Sequence, residues 1–400
     1  MKKLMLLGGI RYLLPAIESA HKHGCHVITV DYLPNNIAHQ YSDEYHNVSI
    51  LDKEVVLKLA QELKIDGILS YAVDPGVTAA AYVAEQMGLP FTCSYKAACI
   101  MQDKASFRQF LLEHGFNCPT AKGYTDAKEA VMDKDLFHWP VIVKPVDSAG
   151  SKGVSKVDDP KDLPKAIEHA LEESHNGHFI IEDFLELDGY QSSSDCFSVD
   201  GKLVYADYSD QHFDSSASNP YTPAIEVWPA TMPQKVQDEL TVELQRLINL
   251  LGCGTGLYNV ESRLCKNGKA YLMEVSPRAG GNRIAELQRI GTGIDLIEAE
   301  VLKAIGEPLP EIKQPKYDGI YVNDIIHSNQ GGKFCEVWYD EQFRRKHFIS
   351  EAVYPKKDDT VEQFHGANNA VGSVFLKFEN LAEVDAHIVN HDDNIKVVVE

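Results

Sequence analysis

Two glutamates stand where a hairpin turn should bring them face to face. The strand-like stretches 257–265 and 270–275 flank the tetrapeptide Lys266-Asn267-Gly268-Lys269. Asn-Gly is the preferred centre of a two-residue type I′ turn, in which the two lysines of the tetrapeptide would be paired. That register places Glu261 directly opposite Glu274, where like charges are destabilising. The opposed carboxylates are therefore expected to have a compensating partner or a function.

Three explanations for this pair stay open: a shared proton, a salt bridge from Arg263 on the same face, and a divalent cation. Carboxylates at this spacing suit Mg²⁺, particularly when substrate phosphates supply further ligands. The same register opposes Asn259 to Ser276, which adds two polar side chains to this face. A solvated outer face fits less well, because these polar positions lead directly into the segment Pro277-Arg278-Ala279-Gly280-Gly281.

A second candidate is the segment VIVKPVDSAGSKGV, residues 141–154. Lys144 ends a predicted strand and faces a turn rich in Ser and Gly, whose small residues let backbone N–H groups approach a phosphate. The Walker A pattern is absent. The alternative is a hairpin tip with a solvated lysine.

A third and weaker candidate is the strand end Ile180-Ile181-Glu182-Asp183-Phe184-Leu185. Exposed main-chain groups there could read an adenine edge, although any buried strand has a similar pattern.

The elements that must position these residues begin with a βαβ alternation in the first hundred residues. Short apolar strands (4–7, 26–31, 67–70) alternate with amphipathic helices (12–23, 53–63, 74–87), which predicts a doubly wound parallel sheet. Asp74-Pro75 is interpreted as the N-cap and first turn of the third helix. Gly8-Gly9 follows the first strand, but the full GxGxxG is missing, which disfavours an oxidoreductase using a nicotinamide cofactor. Asp31 is more readily interpreted as a cap than as a ribose ligand.

Composition limits the class of protein further. The 400 residues are 44% hydrophobic and 24% charged, as in soluble globular proteins, and the length suggests two to four domains. The formal net charge of -21 disfavours nucleic acid and anionic membranes as partners. No apolar run is long enough for a membrane span, and none of the eight cysteines forms a CxxC pair. A cytoplasmic protein with reduced thiols is expected.

Taken in chain order, four segments resemble the ATP-grasp carboxylate–amine ligases: QDKASFR (102–108), VIVKPVDSAGSKGV (141–154), IIEDFLELDG (180–189) and the pair NVESRL with LMEVSPRAGG (259–264, 272–281). The first hundred residues resemble the domain that precedes the ATP-grasp fold in those enzymes. The resemblance covers residues 1 to about 305 and implies an α/β and α+β multidomain protein. Its expected parts are a doubly wound pre-ATP-grasp domain (1–100), a lid or small subdomain (101–190), an antiparallel core with the metal site (191–310) and a C-terminal α+β subdomain (311–400).

The resemblance also implies roles for individual residues. Lys104 and Lys144 would contact the ATP phosphates, beneath a flexible loop that includes Ser148, Gly150, Ser151 and Gly153. Glu182 and Leu185 would hold the adenine, with the Glu182 carbonyl as one candidate contact. Glu261 and Glu274 would bind Mg²⁺, for which Mn²⁺ could substitute, and Arg278 would face the transferred phosphoryl group.

Two positions depart from the family pattern. Ser276 stands in place of the family's metal-binding asparagine and is a shorter ligand. Gln191 takes the place of the ribose-binding acid, with Asp188 nearby.

The implied mechanism is ATP-dependent activation of a carboxylate as an acyl phosphate, followed by attack of an amine and release of ADP and phosphate. The substrate carboxylate is expected at the 278–283 loop, where Arg283, Gly280 and Gly281 would meet it. An ordinary Arg283–Glu286 salt bridge at a helix start is the equally weighted alternative.

Small amino-acid-type substrates are expected, because the loop is too small for a large nucleotide-sugar and no second phosphate loop stands out. A purine-pathway, biotin-carboxylase-like or carbamoyl-phosphate-type enzyme is the alternative within the superfamily, and a non-catalytic nucleotide-binding protein is the alternative outside it. A homodimer is a further expectation.

Overall fold

The structure is a computed structural model that describes residues 1–148 and 152–400. An N-terminal parallel sheet has the strand order β3-β2-β1-β4. Its strands are β1 (Lys3–Leu7), β2 (His26–Val30), β3 (Glu44–His46) and β4 (Gly67–Leu69), and its helices are α1 (Leu14–Lys22), α2 (Lys53–Leu63) and α3 (Val77–Met87). The predicted doubly wound domain is confirmed. The strands β1, β2 and β4 are almost wholly buried because helices cover both faces of a parallel sheet, whereas the edge strand β3 is partly exposed.

Two helices link this domain to the rest of the chain: α4 (Tyr95–Gln102) and α5 (Lys104–Glu113). Asp103 caps α5, because its side chain accepts a hydrogen bond from the Ser106 N–H. The predicted boundary at 100/101 lies within α4.

The predicted lid region contains a small antiparallel sheet of order β5-β8-β6-β7, backed by two helices. Its elements are β5 (Ala121–Tyr124), α6 (Ala127–Met132), β6 (Val141–Pro145), β7 (Ser155–Val157), α7 (Leu163–Glu172) and β8 (Phe179–Asp183). Lys144 and Glu182 lie on the neighbouring strands β6 and β8.

A large antiparallel sheet forms the core, with the order β14-β13-β9-β11-β12-β15-β19-β17 and β10 paired to β9. The elements up to residue 304 are β9 (Leu187–Val199), β10 (Lys202–Tyr205), β11 (Asp210–Phe213), β12 (Pro223–Trp228), α8 (Gln234–Leu251), β13 (Gly256–Cys265), β14 (Ala270–Ser276), α9 (Ile284–Thr292) and α10 (Leu296–Ala304). The predicted boundary at 190/191 lies within β9, which is the long strand beside the hairpin.

The last ninety residues contribute to this same sheet. Their elements are β15 (Ile320–Asp324), β16 (Gly332–Tyr339), α11 (Glu341–His347), β17 (Phe348–Val353), β18 (Thr360–Val361), β19 (Gly372–Phe378), α12 (Leu381–Val389), α13 (His391–Asn394) and β20 (Ile395–Val399). β15 pairs with β12, so the C-terminal region is continuous with the core sheet, while β18-β16-β20 form a separate small sheet. Across the described ranges, no helix combines the length and apolar character needed to cross a membrane.

Candidate active site

The β13–β14 hairpin pairs Glu261 with Glu274 and Asn259 with Ser276, as predicted. The predicted turn is wrong. The Gly268 N–H donates to the Cys265 carbonyl, and Gly268 has φ of 75°, so the loop is a type I turn followed by a glycine bulge. This turn shifts the pairing near the tip by one residue.

A β-bulge then restores the predicted register. Ser262 pairs with Leu272 while Glu261 pairs with Glu274, which leaves Met273 as the extra residue. Leu272 and Val275 consequently pack into the same apolar cluster although they are three residues apart. The bulge therefore turns Glu274 onto the face of the sheet that carries Glu261.

The carboxylate pair has the electrostatics of a cation site. Burial and the neighbouring Glu274 carboxylate raise the pKa of Glu261 to about 7. The Lys104 ammonium lies 3.7 Å from Glu274 Oε2, a distance that compensates only part of the charge. Two opposed carboxylates, half-buried and under-compensated, fit Mg²⁺ with phosphate oxygens as further ligands.

Glu182 is paired with two cations, Lys144 on the same lid sheet and Arg108 on α5. Its buried carboxylate accepts from Lys144 Nζ at 2.5 Å and from Arg108 Nε at 2.9 Å. Burial alone would raise the pKa of Glu182, but the Arg108 and Lys144 charges outweigh it and lower the pKa to about 2. Arg108 also donates to the Met273 carbonyl at the bulge, at 2.7 Å. Lys144 is therefore placed between the lid sheet and the carboxylate pair, where a phosphate could reach it.

The predicted phosphate loop is described only at its ends. Lys104 Nζ donates to the Ser148 carbonyl at 2.9 Å, which places this lysine between the loop and Glu274. Gly153 has φ of 67°, and an added Cβ would lie 3.0 Å from Pro145 Cδ, so the lid requires glycine there. Gly150 and Ser151 lie outside the described residues.

Arg278 is held by the N-terminal domain. Its Nε and Nη2 donate to Asp74 Oδ1 and Oδ2 at 2.7 and 2.6 Å. Burial would raise the pKa of Asp74, but the Arg278 charge holds it below its ordinary value. Asp74 makes no helix-capping hydrogen bond, so its predicted capping role is wrong. The ion pair fixes Arg278 at the edge of the carboxylate face.

Ser276 is tied into the same network. Its hydroxyl donates to Asp74 Oδ1 at 3.1 Å and accepts from Gln102 Nε2 at 2.5 Å. A metal-binding role for Ser276 remains a prediction, and it requires a rearrangement of these bonds.

The loop after β14 is packed tightly at Gly280. The Gly280 N–H donates to Asp195 Oδ1 at 2.8 Å, so this N–H is already used within the protein. Asn259 Nδ2 donates to the same oxygen at 3.1 Å. Gly281 is more open, because a Cβ added there would lie 3.9 Å from its nearest neighbour, Tyr12 Cε2. Substrate roles for both glycines stay predictions.

Arg283 makes the salt bridge that the sequence left as the alternative, with Nη2 3.0 Å from Glu286 Oε1. Its guanidinium lies 4.2 Å from the centroid of the Phe375 ring. Arg283 Nη1 and Asp195 Oδ2 are nevertheless buried without a hydrogen-bond partner among the described residues. Both atoms belong to side chains that flank the same loop.

Two of the residues predicted to bind adenine and ribose, Leu185 and Gln191, contact other side chains of the protein. Leu185 packs against the apolar cluster formed by Cys265, Tyr271 and Met273, at the hairpin end of the carboxylate face. Gln191 accepts from Arg263 Nη2 and donates to Gln211 Oε1. Nucleotide contacts of Glu182, Leu185 and Gln191 remain predictions.

Four residues at this site were missed: Asp74, Arg108, Asp195 and Glu226. Arg108 had a signal, because it lies one helical turn after Lys104 on α5. Glu226 is buried, and burial raises its pKa to about 7, with smaller contributions from Asp195 and Glu261. Glu226 had no sequence signal, because it stands in an ordinary apolar strand pattern, whereas Asp195 follows the polar run Ser192-Ser193-Ser194, which by itself indicates no chemistry.

Side chains of the protein occupy the space beside the N-terminal glycine turn. An added Cβ on Gly9 would lie 2.5 Å from His39 Cε1, and one on Gly8 would lie 2.8 Å from Val73 Cγ2. Asp31 accepts from the Leu33 N–H and from Asn36 Nδ2, as expected of a capping residue. These contacts leave little room for a nicotinamide cofactor at the glycine turn, so the carboxylate face is the better candidate for the active site.

Residues 137–286 match the family model of the ATP-grasp domain. The chain is 26% identical over 314 residues to the formate-dependent phosphoribosylglycinamide formyltransferase of Synechococcus sp. (strain WH7803), covering 78% of each chain. Its fold is similar to that of L-amino acid ligase from Bacillus licheniformis, with a TM-score of 0.81, 20% identity and coverage of 100% and 99% of the two chains.

A third similarity is to the biotin carboxylase domain dimer of Hydrogenobacter thermophilus 2-oxoglutarate carboxylase, solved with MgADP and bicarbonate. The TM-score is 0.75 at 16% identity, and the match covers 100% of this chain and 91% of that one. The predicted fold class is confirmed, and the ATP-grasp domain match supports the predicted ligase class with ATP and Mg²⁺ as cofactors. Residues 137–286 therefore form an ATP-grasp domain.

Proposed function

We propose that this chain is an ADP-forming ligase that activates a small amino-acid-type carboxylate as an acyl phosphate and joins it to an amine, such as a second amino acid. The observation that carries the substrate class lies at the 278–283 loop. Among the described residues, Arg283 Nη1 is a buried donor and Asp195 Oδ2 a buried acceptor, and neither has a partner. Such a pair complements the carboxylate and ammonium of an amino acid.

The mechanism rests on positioning and charge. Lys104 and Lys144 would contact the triphosphate, and Arg278, held by Asp74, would face the transferred phosphoryl group. When bound by Glu261 and Glu274, Mg²⁺ offsets triphosphate charge. The substrate carboxylate attacks the γ-phosphorus in line and ADP leaves; the amine then attacks the acyl carbon and phosphate leaves.

The lid excludes water from the acyl phosphate. It carries Lys144 on β6 and connects to the core through the Glu182–Arg108 pair. Binding of the triphosphate would recruit Lys144 from Glu182, while Arg108 keeps that carboxylate compensated. Closure of the lid would therefore leave no unpaired charge behind.

The test is a panel of the twenty amino acids, singly and in pairs, assayed for phosphate release and for a new peptide mass. We expect ADP-forming turnover with at least one pair. Lys144→Met should lose it, whereas Glu168→Gln, an exposed change on lid helix α7, should retain it. Silence across the panel would contradict the substrate class.

A phosphoribosyl amine is the second candidate, and the formyltransferase relative favours it. The same assay with formate or bicarbonate and a phosphoribosyl amine distinguishes the two. Turnover with those substrates alone would replace the amino-acid assignment.

Assembly and location belong to the same proposal. We infer a homodimer in the cytoplasm that has no nucleic-acid partner. The biotin carboxylase domain of similar fold was solved as a dimer, which supports the assembly. Sedimentation of the purified chain tests it.

A further inference from the structure

Outside the ATP-grasp site, two histidines and an aspartate converge in the C-terminal region. Asp324 ends β15, His387 lies on α12 and His391 begins α13. His387 Nε2 lies 2.9 Å and His391 Nε2 3.0 Å from the same atom, Asp324 Oδ2. Asp324 and His387 are each 1% exposed, so all three ligand-type atoms meet in a nearly closed interior.

The spacing of these atoms suits a tetrahedral metal ion. Bonds of 2.0–2.1 Å from zinc to imidazole nitrogen and carboxylate oxygen place neighbouring ligand atoms about 3.3 Å apart. The two separations from Asp324 Oδ2 are within a few tenths of an ångström of that value, and the three ligand atoms lie within 4.8 Å of one another. The side chain of His391 is 27% exposed, which leaves an entry path and a fourth position for water.

The surroundings hold the ligands in orientation. His387 stacks on Phe343 with a centroid distance of 4.8 Å, and its Nδ1 lies 3.1 Å from the Asn394 side-chain amide. A polar partner on the second ring nitrogen is what orients a metal-binding histidine in known sites. Amide orientation is interchangeable, so Asn394 can accept from Nδ1–H when Nε2 binds a metal.

We propose that Asp324, His387 and His391 form a three-ligand site for a zinc-class divalent metal, which fastens the C-terminal helices to the core sheet. Asp324 sits between β12 and β19 in the sheet, paired with Ile225 and Val374. The preceding residue, Asn323, points to the opposite face and donates to the Asn282 carbonyl at 2.6 Å. The metal would thus brace the strand that supports the 278–283 loop, without belonging to the ATP-grasp metal pair.

The chain contains a matched control cluster. His26 and His46 also contact one carboxylate, Glu44, but each ring approaches a different oxygen. These three side chains are 24–35% exposed. Convergence on one buried oxygen is therefore the feature that distinguishes the proposed site.

The experiment uses the full chain, stripped with a chelator and then given zinc or cobalt(II) in excess Mg²⁺, which occupies carboxylate sites that prefer it. We expect one tightly retained zinc per chain, a higher thermal midpoint, and visible cobalt bands of a four- or five-coordinate site that zinc abolishes. His391→Gln should weaken zinc binding by at least about tenfold, and His46→Gln should leave it unchanged.

Two outcomes would overturn the proposal. One is a wild-type chain that retains no zinc and shows only the weak spectrum of hydrated cobalt. The other is equal zinc affinity in the wild type and His391→Gln. The cobalt spectrum of the wild type decides the matter even where a variant fails to fold.

Discussion

At the scale of single residues, the site is an arrangement of compensated and under-compensated charge. Glu182 has two cations within hydrogen-bond distance, whereas Glu261 and Glu274 face each other with Lys104 as a partial counter-charge. Charge that the protein leaves uncompensated is available to a ligand. We therefore expect Mg²⁺ to bind at the carboxylate pair, whereas Glu182 stabilises the fold through its ion pairs with Arg108 and Lys144.

Glu274→Ala should abolish turnover and leave the fold intact. The change removes one metal-binding carboxylate and also the repulsion that raises the pKa of Glu261. We expect unchanged or slightly higher thermal stability and loss of ADP release at saturating Mg²⁺. Near-normal ADP release would show that the pair does not bind the metal.

Glu182→Gln should lower stability in a pH-dependent manner. The carboxyl has a pKa of about 2 in the folded chain against an ordinary value of 4.5, so its charge stabilises the fold above about pH 4.5. That contribution is lost as the pH falls towards 2. Urea unfolding at pH 7 and pH 4 should show the variant less stable by about 3 kcal/mol at pH 7, and by less at pH 4.

The control for this measurement is Glu129→Gln, whose partner Lys122 lies on the same lid sheet. That pair is 40–49% exposed, so its loss should change the stability little at either pH. A deficit for Glu182→Gln that is equal at both pH values would contradict the assignment.

At the scale of elements, the β13–β14 hairpin places the chemistry. Its bulge at Met273 turns Glu274 towards Glu261, and Arg108 on α5 donates to the Met273 carbonyl. The following loop packs Gly280 against Asn259 and Asp195. One hairpin and its loop thus connect the proposed metal-binding pair, the contact with Arg108 and the proposed substrate atoms.

Gly280→Ala should impair the reaction more than the fold. The new Cβ would lie 2.7 Å from Asn259 Nδ2 and 3.0 Å from Asp195 Oδ1, so both side chains must shift. We expect a stability loss of about 1–3 kcal/mol and a raised KM for the carboxylate substrate. Gly254→Ala, where the nearest atom is 4.0 Å away, is the control; equal KM values in the two variants would contradict this role for the loop.

At the scale of the whole molecule, the N-terminal domain and the core share the active-site edge. Asp74 of the first domain holds Arg278 and Ser276 of the hairpin segment. The C-terminal strand β15 contributes Asn323, which donates to Glu226 Oε2 at 3.1 Å. Three regions far apart in sequence therefore determine the shape of one site.

Asp74→Asn should uncouple the first domain from the site. The buried guanidinium loses its counter-charge, so we expect a loss of about 3 kcal/mol in unfolding free energy and a lower kcat. Glu307→Gln is the matched control, because it breaks the exposed Lys2–Glu307 bridge between the same parts of the chain, at a cost under about 1 kcal/mol. Equal losses in the two variants would contradict the coupling.

The sequence determined the local elements and the order of the motifs. Helix 53–63 matches the structure at both ends, because amphipathic period and capping are local properties. The Glu261–Glu274 pairing was also predicted, although the correct register combines an unpredicted bulge with a turn that differs from the predicted one. The bulge offsets the one-residue shift that the turn introduces. It depends on the packing of the hairpin against α8 and β9, which the hairpin sequence alone does not reveal.

Only the tertiary structure decided how the charges are compensated. Asp74 and Arg278 are 204 residues apart, Arg108 and Glu182 are 74 apart, and Asp324 and His391 are 67 apart. Periodicity and motif spacing extend over a few turns of helix or one hairpin, whereas a buried charge selects its partner through the fold as a whole. The ATP-grasp chemistry was therefore predictable from ordered motifs, while the residues that hold Arg278 and Lys144 in position emerged only when the sheets and domains were brought together.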